Sequence, residues 1–289
     1  MEVTVIGDVN PDLLYSVEGF PVLDSQEIAK DFRLKLGGSA ANTAYALARL
    51  GAKVHFYGAV GKDMFGEFCE RELKRVGVRT HLTRIDGNTG VTSAIEFKGT
   101  RTMFTYRGMN EFLDIPHIRL HGHWMHISGY WHLTKLRPKM VEIFRQAKER
   151  EMKTSFDVGS WNRDWKEAKY IIRAIRDGFV DFLFLNEQEI TAITGMELEN
   201  AIESLRKHTI IGLHMGRRGA KIITADSEIY TPAWENIVVR YTTGAGDTWN
   251  AGFIWAFLKT NNLKKAAKIA MDIVERYVQE GVVITPSEL

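Results

Sequence analysis

Short β-rich runs that stop at a glycine, followed by stretches with helical apolar spacing, recur along this chain, and that alternation limits its fold more than any other feature. Val3 to Ile6 is stopped by Gly7-Asp8, residues 54–57 end at Gly58, and residues 65–76 carry apolar side chains at helical spacing before Gly77. Buried strands joined through helices are the units of a parallel sheet. Further strands are predicted over 124–128, 153–156, 182–185, 209–213 and 221–224, with helices between them and two more over 248–258 and 263–279. Polar residues such as Asp8, delivered at a strand's carboxyl end, lie where open α/β sheets bind ligands.

Two segments break the alternation. Around Lys98-Gly99 two β-rich stretches read as a hairpin, and residues 13–34 are extended with a turn signal at Gly19-Phe20-Pro21. Paired together they make a small separate sheet, a lid. The 289 residues therefore read as a single α/β domain, 1–289, with a lid formed by inserted segments 13–34 and 91–107.

Composition bounds the function. With 45% hydrophobic and 26% charged residues, and no apolar run long enough to span a bilayer, a membrane partner is not expected. Lysine and arginine outnumber aspartate and glutamate by only 38 to 36, interspersed throughout, so no basic stripe points to nucleic acid. The single Cys69 allows no internal disulfide and reads as a buried apolar residue. The start lacks a basic region and apolar core, so no secretory signal is read and a cytoplasmic location is expected.

Chemistry concentrates in Thr242-Thr243-Gly244-Ala245-Gly246-Asp247-Thr248-Trp249-Asn250-Ala251-Gly252-Phe253. A small-residue loop running into a helix leaves backbone N–H groups unpaired at the positive end of the helix dipole, which makes an anion site. Asp247 there is either a capping carboxylate or a reactive one. The stretch from Gly37-Gly38-Ser39 to Gly51 is a second glycine loop opening a helix, with Ser39 able to cap it.

These two segments, about 200 residues apart, resemble the two signatures of the ribokinase-like, or PfkB, family of carbohydrate kinases. The likeness extends to Gly7-Asp8-Val9-Asn10-Pro11-Asp12, to residues 58–66, to Asn186-Glu187-Gln188-Glu189 and to Gly216-Arg217-Arg218-Gly219. It implies a mainly parallel sheet flanked by helices with a small β-sheet lid, and an ATP- and Mg²⁺-dependent kinase that phosphorylates a sugar hydroxyl, with a nucleoside as the alternative acceptor. A catalytically silent sugar- or nucleotide-sensing protein on the same fold is the reading from another class.

By the same resemblance, Asp247 is the base that takes the acceptor proton, and Gly244, Ala245 and Gly246 form the anion hole. Asn186 and Glu189 serve phosphate and Mg²⁺, Glu189 acting through water. Thr243, His214, Gly216 and Gly219 lie along the nucleotide, although His214 replaces the threonine or lysine of many members. Asp12, Gly37, Gly38, Asn42 and Asn110 belong to the acceptor side, where a carboxylate and an amide suit polyol hydroxyls. The lid would exclude water and make a homodimer contact. Arg101 and Arg107 read as solvent-facing, the other possibility being contact with an acidic or phosphorylated acceptor.

Two departures stand out. Tyr241 occupies a position usually held by an aspartate of a monovalent-cation site, which argues against potassium activation. The spacing in Asp157-Val158-Gly159-Ser160-Trp161-Asn162-Arg163 differs from that of acidic-sugar kinases. Five histidines, His117, His121, His123, His126 and His132, raise the question of zinc, but the strand spacing of His121 and His123, the interleaved aromatics and the lack of nearby acidic or cysteine ligands read as packing. A nicotinamide dehydrogenase is disfavoured, because no Gly-x-Gly-x-x-Gly follows the first strand.

Overall fold

The computed structural model describes residues 1–98, 100–159 and 165–285. The chain opens with β1 (Glu2–Gly7), leaves it for β2 (Asn10–Ser16) and β3 (Asp31–Gly37), and returns through α1 (Ser39–Arg49) to β4 (Lys53–Gly61), α2 (Met64–Arg75) and β5 (Arg79–Ile85). A second departure makes β6 (Val91–Phe97) and β7 (Thr100–Tyr106). The chain then alternates through β8 (Trp124–Ser128), α3 (Met140–Glu149), β9 (Lys153–Asp157), α4 (Lys169–Arg176), β10 (Phe182–Asn186), α5 (Glu187–Thr194), α6 (Leu198–Leu205) and β11 (Ile210–His214). It finishes with β12 (Ala220–Ile223), β13 (Glu228–Thr231), α7 (Ala245–Thr260) and α8 (Leu263–Glu280).

The described residues form a nine-stranded sheet in the order β13-β12-β11-β10-β9-β8-β1-β4-β5 and a four-stranded sheet in the order β3-β2-β6-β7. Strands β5 to β11 of the large sheet pair in parallel, while β12 and β13 add antiparallel. Buried on both faces, β1 alternates its allegiance: Val3 and Val5 join the core shared with α1, α7 and α8, whereas Ile6 joins the core shared with α3 and α4. Each large apolar side chain so buried contributes about 1.5–3 kcal/mol. Helix α7 is apolar nearly all round, with Trp249, Phe253, Ile254 and Trp255 buried, because it lies against the sheet and is flanked by α1 and α8. Cys69 is buried in the same core.

The small sheet reaches beyond 13–34 at both ends, while its other two strands stay within 91–107. Asn10 pairs with Gly37 and Asp12 with Lys35, so the start of the glycine loop is bonded strand. Ser39 is also not the cap of α1: Gly38 holds that position, and the serine hydroxyl is used elsewhere.

Candidate active site

Strand β1 has β8 on one side and β4 on the other, so the chain runs away from it in both directions. Such a switch point leaves a crevice beyond the carboxyl ends of the strands. Asp8 follows β1 there, and its Oδ1 accepts from the N–H of Ala40 at 3.0 Å, which fixes the start of α1.

Asp247 lies in the first turn of α7, half-buried and facing α1. Its Oδ1 accepts from the Ser39 hydroxyl at 2.6 Å and its Oδ2 from the Asn42 amide at 3.0 Å. Burial pushes its pKa up to about 7, the two donors oppose that rise, and the charges of Asp8 and Asp12 add to it. A carboxylate poised near neutrality is suited to take a proton.

The loop before α7 turns at Gly244, whose φ of 78° is costly for any residue with a Cβ. In the first turn of α7 the Ala245 N–H donates to the Thr242 carbonyl at 3.3 Å, and the amides of Gly246 and Asp247, which have no intrahelical carbonyl partner, provide anion-binding donors beside the Asp247 carboxyl. Tyr277 braces the loop by donating to the Thr243 carbonyl at 2.6 Å. Arg101, on lid strand β7, reaches the Thr243 hydroxyl. The solvent-facing reading of Arg101 is thus incomplete, whereas Arg107 pairs with Glu111 at 3.5 Å on its own segment.

On the acceptor side Asp12 is buried, with Asn10 donating to its Oδ1 at 2.9 Å. Desolvation, then the neighbouring Asp8, raise its pKa to about 7. Gly37 makes this possible: a Cβ there would come within 2.0 Å of Asp12 Oδ1. Asp12, Asn42, Lys35, Arg240, Tyr241, Thr243 and Tyr277 line one small cavity of about 60 Å³. Lys35 sits 4.9 Å above the Tyr241 ring, and burial lowers its pKa. Among the described residues Lys35, Arg101 and Arg240 make no ion pair.

Asn110 does a different job from the one its position suggested. Its Oδ1 accepts from Val9 N–H at 3.0 Å, and its Nδ2 donates to the carbonyls of Val9 and Arg107, each at 3.1 Å. Both ends of the amide hold the β1–β2 turn, one step removed from the acceptor pocket.

The far side of the crevice carries more carboxylates. Asn186 and Glu189 form a reciprocal capping box at the start of α5, at 2.9 and 2.8 Å. Asp157, buried at the end of β9, accepts from Gly159 N–H at 2.9 Å and from the Asn250 amide. Burial, then Glu189 and Asp247, drive its pKa upward. The sequence marked Asp157 only for the spacing behind it, of which residues 160–163 lie outside the described residues.

His214 packs edge-on against Trp249, ring centroids 5.0 Å apart, and burial lowers its pKa to about 4. It supports the underside of the loop, where a Cβ on Gly246 would sit 3.5 Å from its Nδ1. Gly216 lines a larger cavity of about 460 Å³ with Thr242, Ala245, Trp234, Met271, Val274 and Val278, next to the loop. Gly219 serves the turn into β12 instead, since a Cβ there would meet the Thr231 carbonyl at 2.1 Å. Ser39, Tyr277, Lys35 and Asn250 were not read from sequence as site residues. Only Ser39 left a local signal, lying three residues before Asn42 on one helix face.

A carboxyl with its pKa near neutrality beside helix-terminal amides, between an apolar cavity and a polar one, suits a phosphotransferase acting on hydroxyl groups. Residues 1–287 match the pfkB family of carbohydrate kinases, and the chain belongs to that family. It is 31% identical over 273 residues to the ATP-dependent ribose-1-phosphate kinase of Halopiger xanaduensis, covering 91% of this chain and 87% of that protein. It is 24% identical over 272 residues to the nucleoside kinase of Methanocaldococcus jannaschii, covering 93% and 87%. The crystal structure of adenosine kinase from Sinorhizobium meliloti superposes with a TM-score of 0.83 at 22% identity, covering 99% of this chain and 95% of that one.

Proposed function

We propose that this kinase transfers the γ-phosphoryl group of ATP to a hydroxyl of a pentose that already carries a phosphate. The observation that carries the reading is the trio Lys35, Arg101 and Arg240, three cations that make no salt bridge among the described residues, around the mouth that holds Asp12 and Asn42. An unphosphorylated sugar gives such a trio nothing to pair with, whereas a phosphate ester accepts charge-assisted bonds from it. The ribose-1-phosphate kinase named above supports the same class of acceptor.

In this reading Asp12 accepts bonds from the sugar hydroxyls and Asp247 takes the proton of the attacking one. Ser39 and Asn42 hold the Asp247 carboxylate toward it. The amides of Gly244, Ala245 and Gly246 meet the charge that develops on the transferring group. The nucleotide runs from Thr243 past Gly216 into the apolar cavity, with the small sheet covering the acceptor and excluding water. Magnesium fits the donor set, since Glu189 and Asp247 lie close enough to Asp157 to raise its pKa, which gathers carboxylates where a cation would sit. Glu189, through water, and Asp157 would hold the ion, which neutralises phosphate charge when bound. The exposed Phe32, Leu34, Met103, Phe104 and Tyr106 of the small sheet suit a homodimer contact.

A coupled assay with MgATP across ribose-1-phosphate, ribose-5-phosphate, ribose, deoxyribose and nucleosides tests the proposal. Higher kcat/KM for a sugar phosphate than for every uncharged acceptor is expected. A nucleoside turned over best would replace the acceptor assignment, and no turnover on the whole panel would favour a sensor.

A further inference from the structure

At the opposite end of the large sheet from the crevice, three histidines brought together from two strands and a loop make a site unrelated to the kinase chemistry. His55 and Tyr57 share one face of β4, and His81 on β5 pairs in register with Tyr57. His121 comes from the loop just before β8, its N–H bonded to the Thr4 hydroxyl at 2.8 Å. The four rings stack: His121 on His55 at 4.0 Å, His81 beside His55 at 5.3 Å and on Tyr57 at 4.5 Å. One ligand nitrogen of each histidine lies within 4.8 Å of the other two.

The tautomers follow from Glu2. Its Oε1 takes a bond from Lys53 at 2.6 Å and lies 2.8 Å from His55 Nε2, and a carboxylate only accepts. His55 Nε2 therefore carries the proton and Nδ1 presents a lone pair. This carboxylate–histidine pair is the arrangement that orients a metal-ligating imidazole. His81 Nε2 lies 3.1 Å from His55 Nδ1, close to the roughly 3.3 Å edge of a tetrahedron with metal–nitrogen distances of about 2.0–2.1 Å. In the metal-free protein His81 must donate across that gap.

We propose that His55, His81 and His121 bind a borderline divalent transition-metal ion, with Zn²⁺ the natural test ion, and that Glu2 is its outer-sphere orienting carboxylate. On binding, His81 shifts its proton from Nε2 to Nδ1, so its lone pair turns to the metal with no net proton release. The rings of exposed His81 and partly exposed His121 rotate out of the stack to converge. Neutral imidazoles suit Zn²⁺, Ni²⁺ or Cu²⁺ and discriminate against Mg²⁺, which prefers oxygen. The ion would tie β1, β4, β5 and the approach to β8 together, stabilising the fold without touching catalysis. Of the five histidines clustered in sequence, only His121 takes part, because the other two ligands come from strands far away in the chain.

The full chain, stripped with chelator, is loaded with Zn²⁺, passed over a desalting column and measured for retained metal. Parallel samples are loaded with Co²⁺ for visible absorption and with Zn²⁺ for thermal melting. One retained equivalent, a tetrahedral Co²⁺ spectrum and a higher Tm with Zn²⁺ are expected. His81→Ala, at an exposed position, should weaken Zn²⁺ binding at least tenfold and abolish the Co²⁺ spectrum while kinase kcat stays at the wild-type value. Glu2→Gln should weaken binding by about 10–100-fold. A wild-type chain that retains no Zn²⁺, or His81→Ala retaining it as well as wild type, overturns the proposal.

Discussion

Replacing Ser39 with alanine isolates the group that tunes Asp247 without removing Asp247 itself. The serine hydroxyl donates to Oδ1 at 2.6 Å and is, after burial, the largest influence on this carboxyl, working to lower a pKa of about 7. A hydrogen bond to a charged group is worth about 1.5–3 kcal/mol, and one pKa unit corresponds to about 1.4 kcal/mol, so for a half-buried group Ser39→Ala should raise the pKa by about one unit. At pH 6 the ionised fraction would then fall from about 9% to about 1%, whereas at pH 9 it stays above roughly 90% in both proteins. The assay is kcat/KM against pH, which reports the ionisation of the free enzyme. The acid limb should move up by about one unit, giving roughly a ninefold loss at pH 6 and almost none at pH 9. An unmoved acid limb, or an equal loss at every pH, would refute the reasoning, because a merely structural serine would lower the whole profile together.

Asp247→Asn should lower kcat by about 10²–10⁴-fold while nucleotide still binds, checked by turnover and by equilibrium dialysis. The same variant should melt higher than wild type at pH 8, and by a smaller margin at pH 5. The native carboxyl titrates near pH 7 rather than 3.8, so the folded state binds more protons between those values and stability falls as pH rises through that window. Lys35→Ala should raise KM for ribose-1-phosphate by about 10–100-fold, the value of one charge-assisted bond, and leave KM for ribose almost unchanged in steady-state kinetics. Asn110→Ala should cost about 1–3 kcal/mol in urea unfolding, because it leaves the N–H and carbonyl of Val9 without their buried partner.

What the sequence discloses depends on how local the cause is. The parallel strands were legible because apolar runs bounded by glycine need no distant partner to be recognised, and the glycine loop of α7 carries its turn chemistry within a few residues. Strand β5 was missed because Arg79 to Ile85 lie at the sheet edge with exposed and half-buried residues mixed and no buried apolar run, and β13 at the other edge for the same reason. The antiparallel entry of β12 left no mark in its own residues. In the candidate site, Asp247, Asp12 and Asn42 were marked by motifs, but the contacts of Ser39 with Asp247 and of Arg101 with Thr243 were not. Ser39 lies 208 residues from Asp247 and Arg101 lies 142 from Thr243, so only the fold brings them together. Asn110 shows the opposite failure: its position in the chain was read correctly, but its amide turns to the backbone.

The path of the chain ties the small sheet to the catalytic groups more closely than an inserted cover would require. Strand β2 begins at Asn10, directly after the Gly7-Asp8-Val9 exit of β1, and β3 ends at Gly37, leaving only Gly38 before α1. Asp12 therefore rides on the small sheet, while Asp8 stays with the large one and holds α1 through Ala40. Ser39 and Asn42, which hold the Asp247 carboxylate, occupy the first turn of that helix. A displacement of the small sheet relative to α7 changes the separation of Asp12 from Asp247, because Asp12 rides on that sheet and Asp247 does not. Arg101 closes the circuit from the other end by joining β7 to Thr243 of the anion loop. An acceptor phosphate that pulls Arg101 and Lys35 inward would thus bring Asp12 to working distance in the same movement, so recognition of the acceptor and assembly of the site become one event rather than two.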